Sequence, residues 1–428
     1  MAEKRKLLVV EVAALGWDLV REQAAVLAPL GLTFSPLRPV FPAVTCAVQA
    51  ALRTGLPPPA NGMPSNGIYD RALRRTFFWE QSAALLAPGR VWESLRGRGG
   101  RVGTLFWQQS LGDTTDLVLS PAPVHKHHGG MIQDCYAKPA GLYQELCAGL
   151  GRPFNLMRYW GPLAGLPATR WITDATLAVL RSPQRAPELL LTYLPHLDYA
   201  LQKYGPEDSR RVGRAVGELA GELGRLLTGA AAAGYDVWVF GDYAITPARQ
   251  VVYPNRELRQ AGLLALRQVG RRTYPDFHAA RALAMVDHQA AHVFVQGGAA
   301  DRAAARTALA GLPGVAEVRD GDGGAGGDLV LVAAPGAWFA YPWWEDPAEA
   351  PDYAGHVDIH SKPGFDPCEL FWGWPPGRTG QTPAKVRGTH GRDDAPAAFA
   401  ATGGQPAAAS PAGHLELAAA LRAWCRGG

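Results

Sequence analysis

Residues 41–70 read FPAVTCAVQAALRTGLPPPANGMPSNGIYD, and the fold turns on how this stretch is read. An apolar approach leads to Thr45 and a helix-like run, AVQAALRTG, follows it, so the Thr45 hydroxyl is expected at a helix N-terminus. There the free backbone N–H groups and the helix dipole favour an anion, which makes the position a seat for a phosphate. The run breaks at Gly55, enters PPP, and turns at Asn61-Gly62 and Asn66-Gly67 before Tyr69 and Asp70. The plainer reading of the same residues is a helix with an N-cap threonine and a loop after it.

Outward from this stretch, KLLVVEVAA (6–14) reads as a strand, 17–29 as a helix with apolar residues at helical spacing, and RVGTLFW (101–107) as another strand. ELLLTYLPHLDYALQKYGP (188–206) and YDVWVFGDY (235–243) are apolar strands that run into carboxylates, with a long helix between them at about 207–229. The alternation points to an α/β fold, a central, mostly parallel sheet flanked by helices. Ligands in such sheets gather at the C-terminal ends of strands, where Glu11, Asp198 and Asp242 are expected. Residues 1–109 form the first part of this core and 188–394 the second. The irregular stretch 110–187 is expected as a cap or insertion, and 395–428 as a low-complexity loop followed by a helix, HLELAAALRAWC. A small αβ element is expected at 300–320 and a strand with an aromatic loop at 328–346.

The 42 basic and 38 acidic residues of this 428-residue chain are spread along it, with no block of the kind that binds a nucleic-acid polymer. Residues 203–225 are mixed in sign and periodic, as a solvated helix face is. Basic residues ahead of an apolar run give the N-terminus the outline of a signal peptide, but Glu11 interrupts the run and a first strand is the preferred reading. No uninterrupted apolar run of roughly 18 residues predicts a membrane span. The five cysteines lack CxxC spacing, which argues against a disulfide framework and a Cys-based zinc site and makes a cytoplasmic setting the default. Nothing in the pattern sets the oligomeric state.

Hydrolysis of a phosphate ester needs a nucleophile, a means of lowering its pKa, and positive charge where negative charge spreads over equatorial oxygens. Divalent metals held by Asp and His supply the last two. The chain offers Thr45, Asp198 with His196 beside it, Asp242, His390 and Glu11. His390, in GTHG, reads by itself more readily as a loop or core histidine than as a ligand. His288 and His292 stand four apart and would clamp a metal on one helix face, but HVFVQ directly after them reads as a strand. HKHH at 125–128 reads as a solvated loop. Asp358 and His360 share a face if extended and rank second.

Taken together, FPAVTCAVQAALRTGLPPPANGM, NGIYD, TYLPHLDYALQKYGP, FGDY, VLVAAPGAWF and GTHGRDD resemble the alkaline phosphatase superfamily, in its nucleotide pyrophosphatase/phosphodiesterase and phosphonoacetate hydrolase branch, over most of 6–394. The resemblance implies an alkaline phosphatase-like core with a cap insertion, and Thr45 as nucleophile. It implies Asp198 and His390 on one zinc-like ion, Asp242 on another, and Glu11 in place of the family's first-strand aspartate. Gln202 and Tyr243 stand where that branch has histidines, and Asn61 replaces its turn histidine. His196, on the face of Asp198 if the strand continues, would replace one imidazole. An amide and a neutral tyrosine are poor transition-metal ligands, so the expected cofactor is one or two divalent ions, zinc, or manganese or magnesium given the oxygen-rich set. Asn66, Tyr69, Gln202 and Tyr243 are expected around the substrate. The implied function is a metal-dependent phosphodiesterase or phosphohydrolase acting on a small phosphate or phosphonate. The alternative is a degenerate, non-catalytic member that binds an anion or serves as a scaffold.

Overall fold

A run that is apolar at nearly every position, KLLVVEV, is stable only when buried on both faces, and in the computed structural model it lies in the interior of an eight-stranded sheet. The structure describes residues 5–128, 130–403 and 410–427, so 404–409 of the expected low-complexity loop lie outside the described residues. The sheet strands are β1 (Lys6–Val12), β2 (Ser35–Leu37), β3 (Val102–Leu105), β4 (Leu117–Pro121), β5 (Cys135–Lys138), β6 (Leu189–Leu194), β7 (Tyr235–Gly241) and β8 (Ala397–Ala401). Their order is β2-β8-β7-β1-β6-β3-β4-β5. Strands β7, β1, β6, β3 and β4 run parallel, while β8 and β5 pair antiparallel with their neighbours.

The helices that matter for the site are α1 (Thr45–Thr54), α2 (Leu166–Arg181), α3 (His196–Tyr204), α4 (Ser209–Ala232) and α5 (His414–Arg426). Strand alternation divides the core between the two faces. Leu8, Val10 and Val12 pack with Ile172 of α2 and with Val216, Leu219 and Leu223 of α4. Leu7 and Val9 pack on the other side with Val48 and Leu52 of α1, Leu417 and Leu421 of α5, and Trp238 and Phe240 of β7. Glu11 continues the series Leu7, Val9, and Asp242 continues the series Trp238, Phe240. Both carboxylates are thereby sent to the face that carries α1.

Register aligns the strand ends. Val12 pairs with Leu194 of β6 and with Gly241 of β7, so the loops leaving these three strands start at one level. Gly241 is required there: a Cβ would lie 2.1 Å from the carbonyl oxygen of Leu15.

Of the segment 110–187, expected as a cap, β4 and β5 lie in the central sheet and α2 packs against α4. A second sheet comes from further along the chain, with antiparallel strands Ala282–Asp287, Ala290–Val295, Leu329–Ala333 and Val315–Asp320 in that spatial order. The helix Ala299–Ala310 and the strand Val315–Asp320 form the element expected at 300–320. No helix among the described residues is long and apolar enough to cross a membrane.

Candidate active site

Helix α1 begins at Thr45 and ends at Gly55, whose φ of 73° is the left-handed conformation favoured in glycine at a helix end. The N-cap is Val44, in extended conformation and without a side-chain cap bond, so Thr45 is the first helical residue and not the cap. Its hydroxyl is free of the capping role and donates instead to Asp242 Oδ2 at 3.1 Å. All ten residues of α1 are buried, and its polar side chains have been given partners accordingly. Arg53 meets Asp113 at 3.3 Å and the carbonyls of Gln108 and Gln109, and Gln49 Oε1 accepts the N–H of Gln108 at 2.7 Å.

Asp242 follows the last residue of β7. Its Oδ1 accepts the N–H groups of Ala14 and Tyr243, each at 3.0 Å, and its Oδ2 accepts from Thr45. Burial outweighs these donors and pushes its pKa up to about 8. Glu11 is wholly buried; the Gln49 side chain and Asp242 lie close to it, but neither of its carboxylate oxygens has a partner in good hydrogen-bond geometry. Burial, then the charge of Asp242, raises its pKa well above the usual glutamate range. A buried carboxylate without partners is stable only with a proton or a cation on it.

Asp198 lies in the first turn of α3, past the end of β6, and not in a continued strand. Gln202, one turn on, donates its amide nitrogen to both carboxylate oxygens at 2.8 and 2.7 Å, and the Tyr243 hydroxyl donates to Oδ1 at 2.9 Å. Burial raises the Asp198 pKa to about 6 against the pull of these donors. The Tyr243 ring lies flat on His390, with centroids 3.5 Å apart and planes 2° from parallel. His390 donates from Nδ1 to the Ala43 carbonyl at 2.8 Å, which fixes its tautomer, and burial pushes its pKa down to about 3.

The helix at 196–204 also relocates His196. Two helical residues are turned by about 200° from each other, so His196 points away from Asp198 and its Nε2 lies 3.0 Å from Glu218 of α4. Tyr69 stands apart from the site: its ring packs on Phe294 at 4.6 Å and its hydroxyl accepts from Gln296. DHQAAH is a strand hairpin and not a helix, so His288 and His292 share no metal. His292 faces the Gly326 carbonyl, while His288 lies 3.7 Å from the His390 ring and 4.2 Å from Phe365. Asp358 caps its own turn by accepting the N–H groups of His360 and Ser361.

One site residue went unrecognised in the sequence. Asp287 ends the strand Ala282–Asp287 and accepts from Ser65 Oγ at 2.6 Å, from the Asn66 N–H at 2.8 Å and from Asn66 Nδ2 at 3.2 Å. Asn66 thus held turns its Oδ1 to the N–H of Cys46 at 3.0 Å, in the first turn of α1. The signal was present in AMVD, an apolar strand ending in a carboxylate like 235–242.

Among the described residues no group of three or more His, Cys, Asp or Glu is arranged to hold a metal ion. The half of the site around Asp198 does not fit one, because Gln202 and Tyr243 engage both carboxylate oxygens. The half around Glu11 fits a single hard cation: two unneutralised carboxylates and a hydroxyl, all oxygen donors, with Glu11 bare.

The architecture, strand-end carboxylates meeting a threonine at a helix N-terminus on a mostly parallel sheet, is that of the alkaline phosphatase superfamily. Within it the chain belongs to the type I phosphodiesterase / nucleotide pyrophosphatase family, whose model matches residues 7–366. Its fold is similar to phosphonoacetate hydrolase from Sinorhizobium meliloti 1021, solved with phosphonoformate, at a TM-score of 0.62 and 14% identity over 98% of this chain and 95% of that one. It is also similar to murine ectonucleotide pyrophosphatase / phosphodiesterase 5, at a TM-score of 0.55 and 14% identity over 93% and 88%. No curated protein matches the chain at a significant level.

Proposed function

We propose that the chain hydrolyses a small phosphate or phosphonate substrate through Thr45, with one hard divalent cation, manganese or magnesium, held by Glu11, Asp242 and the Thr45 oxygen. The observation that carries this reading is the Thr45 hydroxyl bonded to Asp242 on the sheet face where Glu11 stands without a partner. Family membership supports the reaction class, phosphoester hydrolysis. Thr45 Oγ1 forms a bond to phosphorus and its proton passes to Asp242 Oδ2, which already accepts it. The bond from phosphorus to the leaving group breaks and the leaving group takes a proton from solvent; a water oxygen then bonds to phosphorus, the bond from phosphorus to Thr45 Oγ1 breaks, Asp242 returns its proton to Oγ1, and the water's proton passes to solvent. The N-terminus of α1 favours the phosphoryl charge, and Asn66, bonded to Cys46 and Asp287, is a positioning residue for that first turn. When bound, a divalent cation supplies positive charge for the equatorial oxygens and favours the ionised nucleophile. A cytoplasmic setting belongs to this reading, motivated by the five free cysteines.

The test is turnover of p-nitrophenyl phosphate, bis-p-nitrophenyl phosphate and a p-nitrophenyl phosphonate by purified protein with magnesium, manganese or zinc. Metal-stimulated turnover that Thr45→Ala lowers by about a thousandfold or more supports the reading. No metal-stimulated turnover on any of the three overturns it. A second reading, a non-catalytic member that binds an anion or acts as a scaffold, is favoured by one observation: the closure of Asp198 by Gln202 and Tyr243. Elemental analysis separates the two, since about one ion per chain together with turnover excludes the second.

A further inference from the structure

The sequence FWGWPPGRTG, 371–380, is anchored at its ends, by Phe371 on a small apolar cluster and by buried Thr379, but its middle, 372–377, belongs neither to the core nor to the candidate site. It forms a hairpin: the Gly380 N–H donates to the Phe371 carbonyl at 2.8 Å, the Gly373 N–H to Arg378 at 2.9 Å, and the Arg378 N–H to Pro375 at 3.2 Å across the turn. The two arms touch closely, since a Cβ on Gly373 would lie 2.0 Å from the Thr379 carbonyl oxygen. Two tryptophans are displayed by this frame, Trp372 at 56% exposure and Trp374, beside the turn, at 84%. Leaving two indoles in water is costly for a surface with no apolar contact to make.

The surroundings supply a second, independent feature. Lys203 lies over the Phe371 ring at 5.6 Å, and Arg378 is part of the hairpin itself. Lys385 ends a short helical turn that packs against the one leading into the hairpin. Among the described residues none of these three cations is within salt-bridge distance of a carboxylate, whereas neighbouring Asp208, Glu207, Asp366 and Glu369 are each paired with a cation. Val357, 38% exposed, extends the apolar area, because the adjoining Gly355 carbonyl accepts the Thr379 N–H at 2.9 Å.

We infer that this hairpin and the unpaired cations around it are a docking surface for an anionic lipid bilayer. Tryptophan has an apolar body and a polar N–H, the combination that settles at the boundary between head groups and acyl chains. Each lysine or arginine brought to an anionic leaflet strengthens binding by about fivefold. A tip that projects one indole beyond its frame suits insertion into an interface. A single-stranded nucleic acid asks for aromatic faces and cations tracked along a groove, which the hairpin tip does not offer. The hairpin grows from the turn that carries Glu369, which accepts from the Trp160 indole at 2.5 Å, and Trp160 meets Phe365 edge to face beside His288. The hairpin is thereby linked to an aromatic rim, Trp160 and Phe365, that lies beside His288 and, through it, His390.

The test uses the full chain and sedimentation with vesicles of phosphatidylcholine alone or with about a third phosphatidylserine. Expected are binding to the mixed vesicles, at least about tenfold weaker binding to phosphatidylcholine alone, and weakening by salt. Trp372→Ser with Trp374→Ser should abolish binding with an unchanged melting temperature, since both side chains are exposed, and Arg378→Gln with Lys385→Gln should weaken it by tenfold or more. No sedimentation with mixed vesicles, binding unaltered in the tryptophan double variant, or tryptophan-dependent binding of a single-stranded oligonucleotide in place of vesicles overturns the inference.

Discussion

The hydroxyl of Tyr243 donates to Oδ1 of Asp198 across 2.9 Å. That bond, with the two from Gln202, satisfies a carboxylate that would otherwise need a cation or a proton, and it anchors the ring that covers His390. Glu11 has only the Gln49 side chain and Asp242 close by, neither in good hydrogen-bond geometry. The candidate site therefore has a half satisfied by protein hydrogen bonds and a half whose buried carboxylates need a proton or a cation.

Glu11→Gln tests the second of these halves. Replacing a buried, partnerless carboxylate with a neutral isostere removes a desolvation penalty, so the chelated protein should be stabilised at pH 8 by about 1 kcal/mol or more. The same variant should lose the rise in melting temperature that manganese or magnesium gives the parent protein. Thermal melts with and without the ions read both effects, and a variant that keeps the manganese-induced rise would remove Glu11 from the cation site.

The pH dependence of stability follows from the same groups. Asp242 at about 8 and Asp198 at about 6 both lie above the ordinary 3.8, and Glu11 is raised as well. Each holds its proton more tightly when folded, so its contribution is complete below about pH 4 and is lost as pH rises through the folded value. His390, pushed down to about 3, acts in the opposite sense, contributing above about pH 6.5 and losing that contribution as pH falls. Above about pH 6.5 the carboxylates act alone. In chelator the melting temperature should fall between about pH 6.5 and 8.5, and Asp242→Asn should flatten the fall; saturating manganese should reverse its sign, because the ion needs the charged carboxylates. Melts across that range, in EDTA and in manganese, are the measurement.

Tyr243→His combined with Gln202→His probes the half satisfied by hydrogen bonds. The two substitutions remove the donors that engage Asp198 and place imidazoles beside Asp198, Asp242 and His390. The zinc content of the dialysed protein, read by elemental analysis, should rise by about one ion per chain over the parent. Unchanged metal content in a folded double variant would show that something other than these two donors closes the site.

Much of this arrangement was legible in the chain because period-two burial is. Leu7, Val9 and Glu11, and Trp238, Phe240 and Asp242 on another strand, share one face by alternation; that carboxylates at these strand ends converge on Thr45 was implied by the resemblance to the superfamily and not by periodicity. Asp287 could have been found by the same rule. Long-range side-chain destinations were not legible. A tyrosine beside a strand end does not announce that its hydroxyl will reach Asp198, 45 residues away, and HLDYALQK gives no sign that the chain turns helical at His196, which sends that imidazole to Glu218. The capping role expected of Thr45 failed because the helix starts one residue earlier than that role needs: Val44 is the N-cap, and Thr45, as first helical residue, turns its hydroxyl to Asp242. The second sheet was only partly legible: HVFVQ reads as a strand, but ALAMVD before it was not assigned, and the turn at His288 that pairs the two is seen only in the structure.

Lys362 supports the last prediction. It is 1% exposed, and its Nζ donates to Asp366 Oδ2 and Glu369 Oε1, each at 2.7 Å, and to the His356 carbonyl at 3.1 Å. These two charges hold its pKa above the usual lysine range although burial alone would lower it. Lys362→Met keeps the length of the side chain and leaves two carboxylates in the interior without their cation, so it should destabilise by about 3–5 kcal/mol. The loss should shrink at lower pH, where the abandoned carboxylates take up protons, and most of it should be recovered in the triple variant with Asp366→Asn and Glu369→Gln. Glu369 also holds the Trp160 indole, so Lys362→Met should loosen the ring that meets Phe365 edge to face and raise hydrogen exchange at 156–166. Denaturant melts of the single and triple variants at two pH values, with exchange on the single variant, decide the matter: a single variant within about 1 kcal/mol of the parent at neutral pH would mean that the buried pair contributes little and that the rim is fixed by its aromatic contacts alone.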